Sequence, residues 1–312
     1  MRSRNHRDRG VSGLIILALA AALPEGAFAE RCAELIGSRG AVAVMDLATG
    51  RLLAATDQET LFAKHYPPGS VAKFLTGLVA IEKGIELPDG FPCPGDETLR
   101  CSLRGGHGIV DFSRALSQSC NLYFQSLAKD LSAEDLAALP RRLKLDGRVG
   151  VDLPGEAESI VQTPSSDSAK LAFAIGQGYS IQLTPVAMLA LISGIATQGE
   201  LLRPRLSEGQ PEVLSSFPNQ KALAKIRPLL RDVVRSGTGK HADITTVQVA
   251  GKTGSSTVLG NWVTHGWFVG FASYEAPEIA VVVFLDRGEG KDAAHIAGLV
   301  FSDYFRRAYA EH

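Results

Sequence analysis

The chain has 312 residues, with 32 Lys plus Arg against 33 Asp plus Glu and an apolar fraction of 45%. The even charge excludes a polyanion binder that works through bulk electrostatics, and the apolar fraction excludes a disordered chain. The length accommodates one large domain or two lobes around a real core.

The first predicted element lies ahead of the folded domain. Arg2, Arg4, Arg7 and Arg9 form a basic head, Leu14 to Leu23 is an uncharged apolar run, and Pro24 precedes the small-residue pattern Ala27-Phe28-Ala29. This is the pattern of a secretory signal peptide over residues 1–29, with cleavage expected before Glu30. The apolar run falls short of the ~20 residues that span a bilayer. The expectation is an exported, periplasmic or extracytoplasmic protein whose mature domain covers residues 30–312. Export permits disulfides among Cys32, Cys93, Cys101 and Cys120. Cys93 and Cys101 lie close together in a loop rich in Pro and Gly and are the candidate disulfide pair. Cys120 reads as a buried free thiol. With no CxxC pair or Cys/His cluster in the sequence, no metal and no cofactor are expected.

Gly40 to Leu53 reads as a β-hairpin turning at Ala48-Thr49-Gly50. A loop ending in Tyr66-Pro67-Pro68-Gly69 leads into SVAKFLTGLVAIEKG, a helix so apolar all round that it must be buried. Ser70 falls at or beside its N-cap. Asp111–Ser119 and Asn121–Leu131 read as two helices meeting at Ser119-Cys120-Asn121. Ser132 and Asp135 form a capping box for a helix to Leu145. Thr184-Pro185 starts another helix that ends at Gly199, and Lys221–Val234 is amphipathic. Strands follow at Thr245–Thr257, Gly266–Ser273 and Glu278–Asp286, and Ala293–Ala310 closes the chain as a helix. The predicted class is α+β. Strands from both ends join one antiparallel sheet flanked by N- and C-terminal helices, with an all-α lobe inserted. The sheet lobe is expected at about residues 30–69 and 241–312 and the helical lobe at about 70–240, with a site in the crevice between them.

Three short motifs border that crevice: Ser70-Val71-Ala72-Lys73, Ser119-Cys120-Asn121 and Lys252-Thr253-Gly254. Each alone is a weak signal, and their placement gives them meaning. Ser70 and Lys73 share one helical face. A lysine in an apolar helix loses hydration and becomes a better base, able to take the Ser70 hydroxyl proton. Lys252 is the expected second cation that depresses Lys73 further. Elsewhere, Gly237-Thr238-Gly239-Lys240 and Gly176-Gln177-Gly178 fail as nucleotide motifs. His107 reads as a hydrogen-bonded loop residue, and Trp262 and Trp267 as strand packing.

The three motifs in this order resemble those of the serine penicillin-recognising enzymes. HYPPGSVAKF, RGGHGIVDFSRALSQSCNLYF, GQGYSIQLTPVAMLALISGIATQGELLRP, VAGKTGSS and GWFVGFA are similar to segments of class B, elongation-type penicillin-binding proteins. The resemblance runs over about residues 40–310. It implies a β-lactamase/transpeptidase-like fold and a serine D,D-transpeptidase or D,D-carboxypeptidase. Such an enzyme acts on the D-Ala-D-Ala stem peptides of peptidoglycan and is acylated by β-lactams, with no nucleic-acid partner. By position, the resemblance implies Ser70 as nucleophile, Lys73 as its proton acceptor and Ser119 as relay to the leaving group. It implies Asn121 as a substrate clamp and Lys252 as a source of positive potential. Thr253, Gly254 and Ser255 would bind the substrate carboxylate and, through the backbone N–H groups of Ser70 and Ser255, the oxyanion. The sequence departs from the pattern in having Ser255 where Thr is usual, Asn121 where Asp is frequent, and no expected N-terminal pedestal domain. Two alternatives carry other expectations: a class D-like β-lactamase, against which Ser119-Cys120-Asn121 argues, and a non-catalytic penicillin-sensing domain.

Overall fold

A computed structural model describes residues 26–95, 101, 103, 105–257 and 263–310. Five strands form its main sheet: β1 (Gly40–Asp46), β2 (Leu52–Ala55), β3 (Ala250–Thr257), β4 (Thr264–Ala272) and β5 (Ile279–Leu285). Their order is β2-β1-β5-β4-β3, antiparallel throughout. The strand nearest the C-terminus thus sits at the centre, paired from Gly40↔Leu285 to Asp46↔Ile279 on one side and from Gly266↔Leu285 to Ala272↔Ile279 on the other. All seven residues of β5 are buried. A strand covered on both faces reads as a continuous apolar run, and IAVVVFL is one.

Ten helices surround the sheet among the described residues. They are α1 (Ala27–Ile36), α2 (Gln58–Phe62), α3 (Ala72–Glu82), α4 (Phe112–Ser117), α5 (Asn121–Lys129), α6 (Ala133–Arg142), α7 (Asp167–Phe173), α8 (Pro185–Ala196), α9 (Gln220–Arg235) and α10 (Gly290–Ala310). Side chains alternate along each strand, so two cores form. Val42, Val44, Phe268, Val281 and Val283 face one core with α1 and α10, where Cys32, Ile36, Val300 and Phe301 are buried. Ala41, Met45, Trp267, Val282 and Phe284 face the other. There α8, buried at all twelve of its positions, packs on β1, β4 and β5. The expected α+β architecture, one main antiparallel sheet flanked by terminal helices, is observed, while the helical region, expected to be all-α, also carries three two-stranded antiparallel pairs: Phe91–Cys93 with Gly108–Val110, Ile160–Val161 with Ile181–Gln182, and Glu200–Leu202 with Val213–Ser216.

Several local expectations appear in detail. The Ser132 hydroxyl accepts from Asp135 N–H at 3.0 Å while the Asp135 carboxylate accepts from Ser132 N–H at 3.0 Å. Thr184 caps α8 by accepting from Ala187 N–H, with Pro185 at the first helical position. Other expectations shift. The strand read from Thr245 begins only at Ala250. Its preceding carbonyls are taken by other partners, since Gln248 O accepts from Tyr274 N–H and Val249 O accepts from the Arg231 guanidinium. The stretch read as a loop before Tyr66 contains α2, a single turn capped by Asp57. Helix α1 begins at Ala27, ahead of the expected cleavage position, and Phe28 packs edge-on against Tyr304 with ring centres 5.7 Å apart.

Candidate active site

Ser70 lies in a 3₁₀ turn, Gly69–Val71, that runs directly into α3 at Ala72. It therefore sits just outside the α-helix, beside the N-cap residue Val71, as expected. Two hydrogen bonds hold the turn and the chain leading into it. Gly69 N–H donates to Gly176 O at 2.8 Å, and Trp267 Nε1–H donates to Pro67 O at 3.0 Å. Gly69 has φ 56°, and a Cβ there would lie 2.6 Å from Ser255 O. Only glycine meets both demands. On the facing strand, a Cβ at Gly254 would lie 2.7 Å from Pro68 O. The two glycines let β3 approach the backbone beside Ser70.

Lys73 is fully buried within α3, and its Nζ is 2.9 Å from Ser70 Oγ. Three more oxygens surround that nitrogen: Ser119 O at 2.6 Å, Ser119 Oγ at 3.0 Å and Asn121 Oδ1 at 2.6 Å. An ammonium has three hydrogens and no lone pair, so it cannot serve all four oxygens at once. A neutral amine can accept from the Ser70 hydroxyl while donating to Ser119 O and Asn121 Oδ1. Burial drives Lys73 in that direction, from its ordinary 10.5 to about 7, against a smaller opposing influence from Cys120 and Cys101. Lys252, on β3, is equally buried. Its Nζ donates to Ser119 Oγ at 3.1 Å and Thr253 O at 3.0 Å. Burial, and then the charge of Lys73, pushes Lys252 well below its ordinary value. The electrostatic pressure expected from Lys252 on Lys73 thus registers on Lys252. Both amines meet at the Ser119 hydroxyl, and their surroundings disfavour charging both.

The backbone at Ser119 explains how a hydroxyl reaches both lysines. Helix α4 ends with Cys120 N–H donating to Ala115 O and Ser119 N–H donating to Leu116 O, which leaves Ser119 at φ 61°. This is a Schellman termination, in which the left-handed position is usually glycine. A serine there costs ~1–3 kcal/mol, and the side chain it supplies is the one that bridges Lys73 and Lys252. Helix α5 restarts at once, with Cys120 as N-cap and Asn121 as its first residue.

Strand β3 ends the sheet, so its outer edge faces a cleft of about 580 Å³ lined by Ser70, Ser119, Asn121, Thr253, Gly254 and Ser255. Thr253 Oγ1 lies 2.5 Å from Thr238 Oγ1. Ser255 Oγ accepts from Gly290 N–H at 3.0 Å, which leaves its own hydrogen for an acceptor in the cleft. Lys240 and Lys291 also line it. All eight residues singled out from the sequence as candidates for catalysis and substrate binding converge here. Two further residues hold the site and stand outside the three motifs. Gln177 Nε2–H donates to Ser255 O at 2.9 Å while its Oε1 accepts from Thr257 N–H at 3.3 Å, and Thr238 orients Thr253. The GQG segment stands out in the sequence, but its role depends on a contact 78 residues away.

Cys93 and Cys101, the candidate disulfide pair, are free thiols with their Sγ atoms 3.4 Å apart. Trp267 is fully buried, as expected of strand packing, whereas Trp262 lies outside the described residues.

Residues 40–306 match the family model described as the penicillin binding protein transpeptidase domain. The chain belongs to that family. Among curated relatives, it is 28% identical to peptidoglycan D,D-transpeptidase MrdA of Acinetobacter baumannii, over 87% of this chain and 51% of that protein. It is 30% identical to stage V sporulation protein D of Bacillus subtilis, over 72% of this chain and 39% of that protein. The chain thus spans about half or less of these relatives' length. Among solved penicillin-binding proteins, the crystal structure of Pseudomonas aeruginosa PBP2 in complex with WCK 5153 superposes with a TM-score of 0.78 at 26% identity. That match covers 89% of this chain and 76% of the other.

Proposed function

We propose that this penicillin-binding domain is a serine D,D-transpeptidase that acts on D-Ala-D-Ala stem peptides of peptidoglycan and is acylated by β-lactams. The observation that carries the reading is the 2.9 Å approach of a fully buried Lys73 to Ser70 Oγ, at a cleft bordered by the free edge of β3. Neutral Lys73 takes the Ser70 proton as Oγ attacks the carbonyl carbon of the scissile D-Ala-D-Ala bond. Two backbone N–H groups, those of Ser70 and Ser255, are assigned to the developing oxyanion, a contribution of ~10²–10³ in rate per donor. The Ser119 hydroxyl, between the two lysines, returns a proton to the departing D-Ala amine. Thr253 and Ser255 hold the terminal carboxylate with Lys252 behind them, and Asn121 orients the acyl side of the substrate. An amine from a second stem peptide then resolves the acyl-enzyme; water in its place makes the same site a carboxypeptidase. The signal-peptide pattern at residues 1–29 supports an exported, extracytoplasmic domain, where this substrate is found.

Fluorescent penicillin tests the reading. The wild-type chain is expected to take up one label that persists for minutes, and Ser70→Ala none. Label lost within seconds with free penicilloate appearing would make the protein a β-lactamase. Persistent label with neither D-Ala release from a pentapeptide nor transfer of the remaining acyl group to an amine would make it a sensor. No label at all would refute the site.

A further inference from the structure

Strand β3 pairs only with β4, so one row of its backbone groups faces outward along the cleft. Two of those groups are already taken, although no strand lies there. Ser255 O accepts from Gln177 Nε2–H at 2.9 Å, and Thr257 N–H donates to Gln177 Oε1 at 3.3 Å. A carboxamide offers donors on one side and an acceptor on the other. An extended peptide laid on a sheet edge offers the same pair, a backbone N–H and a backbone C=O. Gln177 therefore stands in for a strand at the place where a peptide would add one.

Three observations distinguish this from an ordinary loop contact. First, the site fixes the direction of the substrate. The Thr253 and Ser255 hydroxyls, with Lys252 behind them, form the carboxylate end of the cleft. The acyl side must then leave Ser70 along β3 toward Thr257. Second, Gln177 divides a continuous edge. On one side is the catalytic cleft, which Ser255 lines, and on the other a hollow of about 140 Å³ lined in part by Tyr66, Gly178, Tyr179 and Thr257. Tyr179 is 65% exposed, an uncovered ring beside that path. Third, the backbone under Gln177 is held while its side chain can turn. Gly176 O accepts from Gly69 N–H at 2.8 Å, Gln177 N–H donates to Ala172 O at 2.9 Å, and Gly178 O accepts from Gln182 Nε2–H at 2.7 Å. Gln177 is only half-buried, and rotation between side-chain rotamers releases both of its contacts to β3 without moving the loop.

We propose that Gln177 is a latch on the acyl side of the substrate site. Its carboxamide closes the β3 edge in the free protein and swings out when the backbone of the stem peptide takes its place on Ser255 O and Thr257 N–H. The acyl-side amide of a β-lactam displaces it in the same way from Ser255 O. The proposal rests on the transpeptidase reading and adds to it a residue that selects substrates. Gln177 takes no part in the chemistry; it decides which ligands reach the edge beside Ser70.

The exchange gives the latch its selectivity. A ligand with a backbone-like N–H and C=O restores to the edge the hydrogen bonds that Gln177 gives up. A ligand bulky on the acyl side but without those groups must open the latch and restores nothing. A ligand too short to reach Ser255 O leaves the latch shut. For every ligand that must open it, the apparent affinity is lowered by the fraction of chains open at rest. Two hydrogen bonds of ordinary net strength, offset by the freedom the side chain regains, hold that fraction at roughly a third or less.

Two β-lactams separate a latch from a structural prop. Benzylpenicillin carries an amide on the acyl side of its lactam ring, and penicillanic acid carries only hydrogen there. Second-order rates of Ser70 acylation are measured for both by mass spectrometry of the full chain. Gln177→Ala is expected to speed acylation by benzylpenicillin at least ~3-fold and to raise its ratio to the penicillanic acid rate by the same factor. Loss of a side chain that only holds β3 in place would slow both compounds and leave the ratio unchanged. The crystal structure of the wild-type benzylpenicillin acyl-enzyme supplies a readout independent of any substitution. The ligand's amide N–H is expected on Ser255 O, with Gln177 Nε2 beyond hydrogen-bond distance. An acyl-enzyme that keeps Gln177 on Ser255 O would overturn the proposal, as would a Gln177→Ala chain whose ratio is unchanged or lower. Acylation of the wild type by neither compound would instead overturn the transpeptidase reading, and the latch with it.

Discussion

Lowering the pH from 8.5 to 5.5 should slow acylation of Ser70 by penicillin ~30-fold, because one group controls the proton transfer. Burial holds that group, Lys73, at about 7 instead of 10.5. A base of that strength is ~97% neutral at pH 8.5 and ~3% neutral at pH 5.5. An ordinary lysine would be only ~0.1% neutral at pH 7.5, and its rate would climb tenfold per pH unit without levelling. The measurement is the second-order rate of fluorescent-penicillin labelling under rapid mixing between pH 5.5 and 9.5, with folding checked at each pH by circular dichroism. A plateau above pH 8 and a tenfold fall per unit below pH 6 are expected. A flat profile, or one still rising at pH 9.5, would refute Lys73 as the base. Lys73→Arg, which keeps a cation that cannot lose its proton, should lower the rate by ~10²–10⁴ at every pH. The same displacement affects stability with a definite sign. The folded value lies below the unfolded one, so the unfolded chain binds the proton more tightly. Burial of Lys73 therefore costs on the order of 5 kcal/mol below pH 7, and the cost is relieved as pH rises from about 7 to 10.5.

Two substitutions separate site geometry from fold stability. Gly254→Ala places a Cβ 2.7 Å from Pro68 O and 3.0 Å from Val71 Cγ2, so strand and Ser70 turn must part. Penicillin labelling should fall at least tenfold with ~1–3 kcal/mol lost in chemical denaturation, and unchanged labelling would show that the approach of β3 is not needed. Ser132→Ala removes the capping box of α6, remote from the cleft. It should cost ~1 kcal/mol and leave the labelling rate within twofold of wild type; a large kinetic effect would contradict the placement of α6 outside the site.

Much of this molecule is legible in its amino-acid order, wherever one physical rule dominates. The capping box at Ser132, the Thr184-Pro185 helix start and the apolar runs of β4 and β5 depend on nearest neighbours or on simple periodicity. The buried helix carrying Lys73 is evident from its lack of charge, and the i,i+3 spacing places Ser70 and Lys73 on one face. Legibility ends where a distant partner competes for the backbone. The stretch before Ala250 has strand composition, yet Tyr274 and Arg231 take its carbonyls. The five-residue α2 is too short for periodicity to register.

The local order of the chain thus determined the elements, the three motifs and the reaction class they suggest, because propensity, capping and helical spacing act over a few residues. Tertiary structure alone decided which groups meet. It set Lys73 and Lys252 on one hydroxyl, turned Ser119 into a left-handed helix end, and brought Gln177 to strand β3. It also gathered two suspected disulfide partners, a loop histidine and a core thiol into one buried cluster. Such meetings depend on chain paths that close over tens to more than a hundred residues, and burial in the closed fold is what shifts the proton affinity of Lys73.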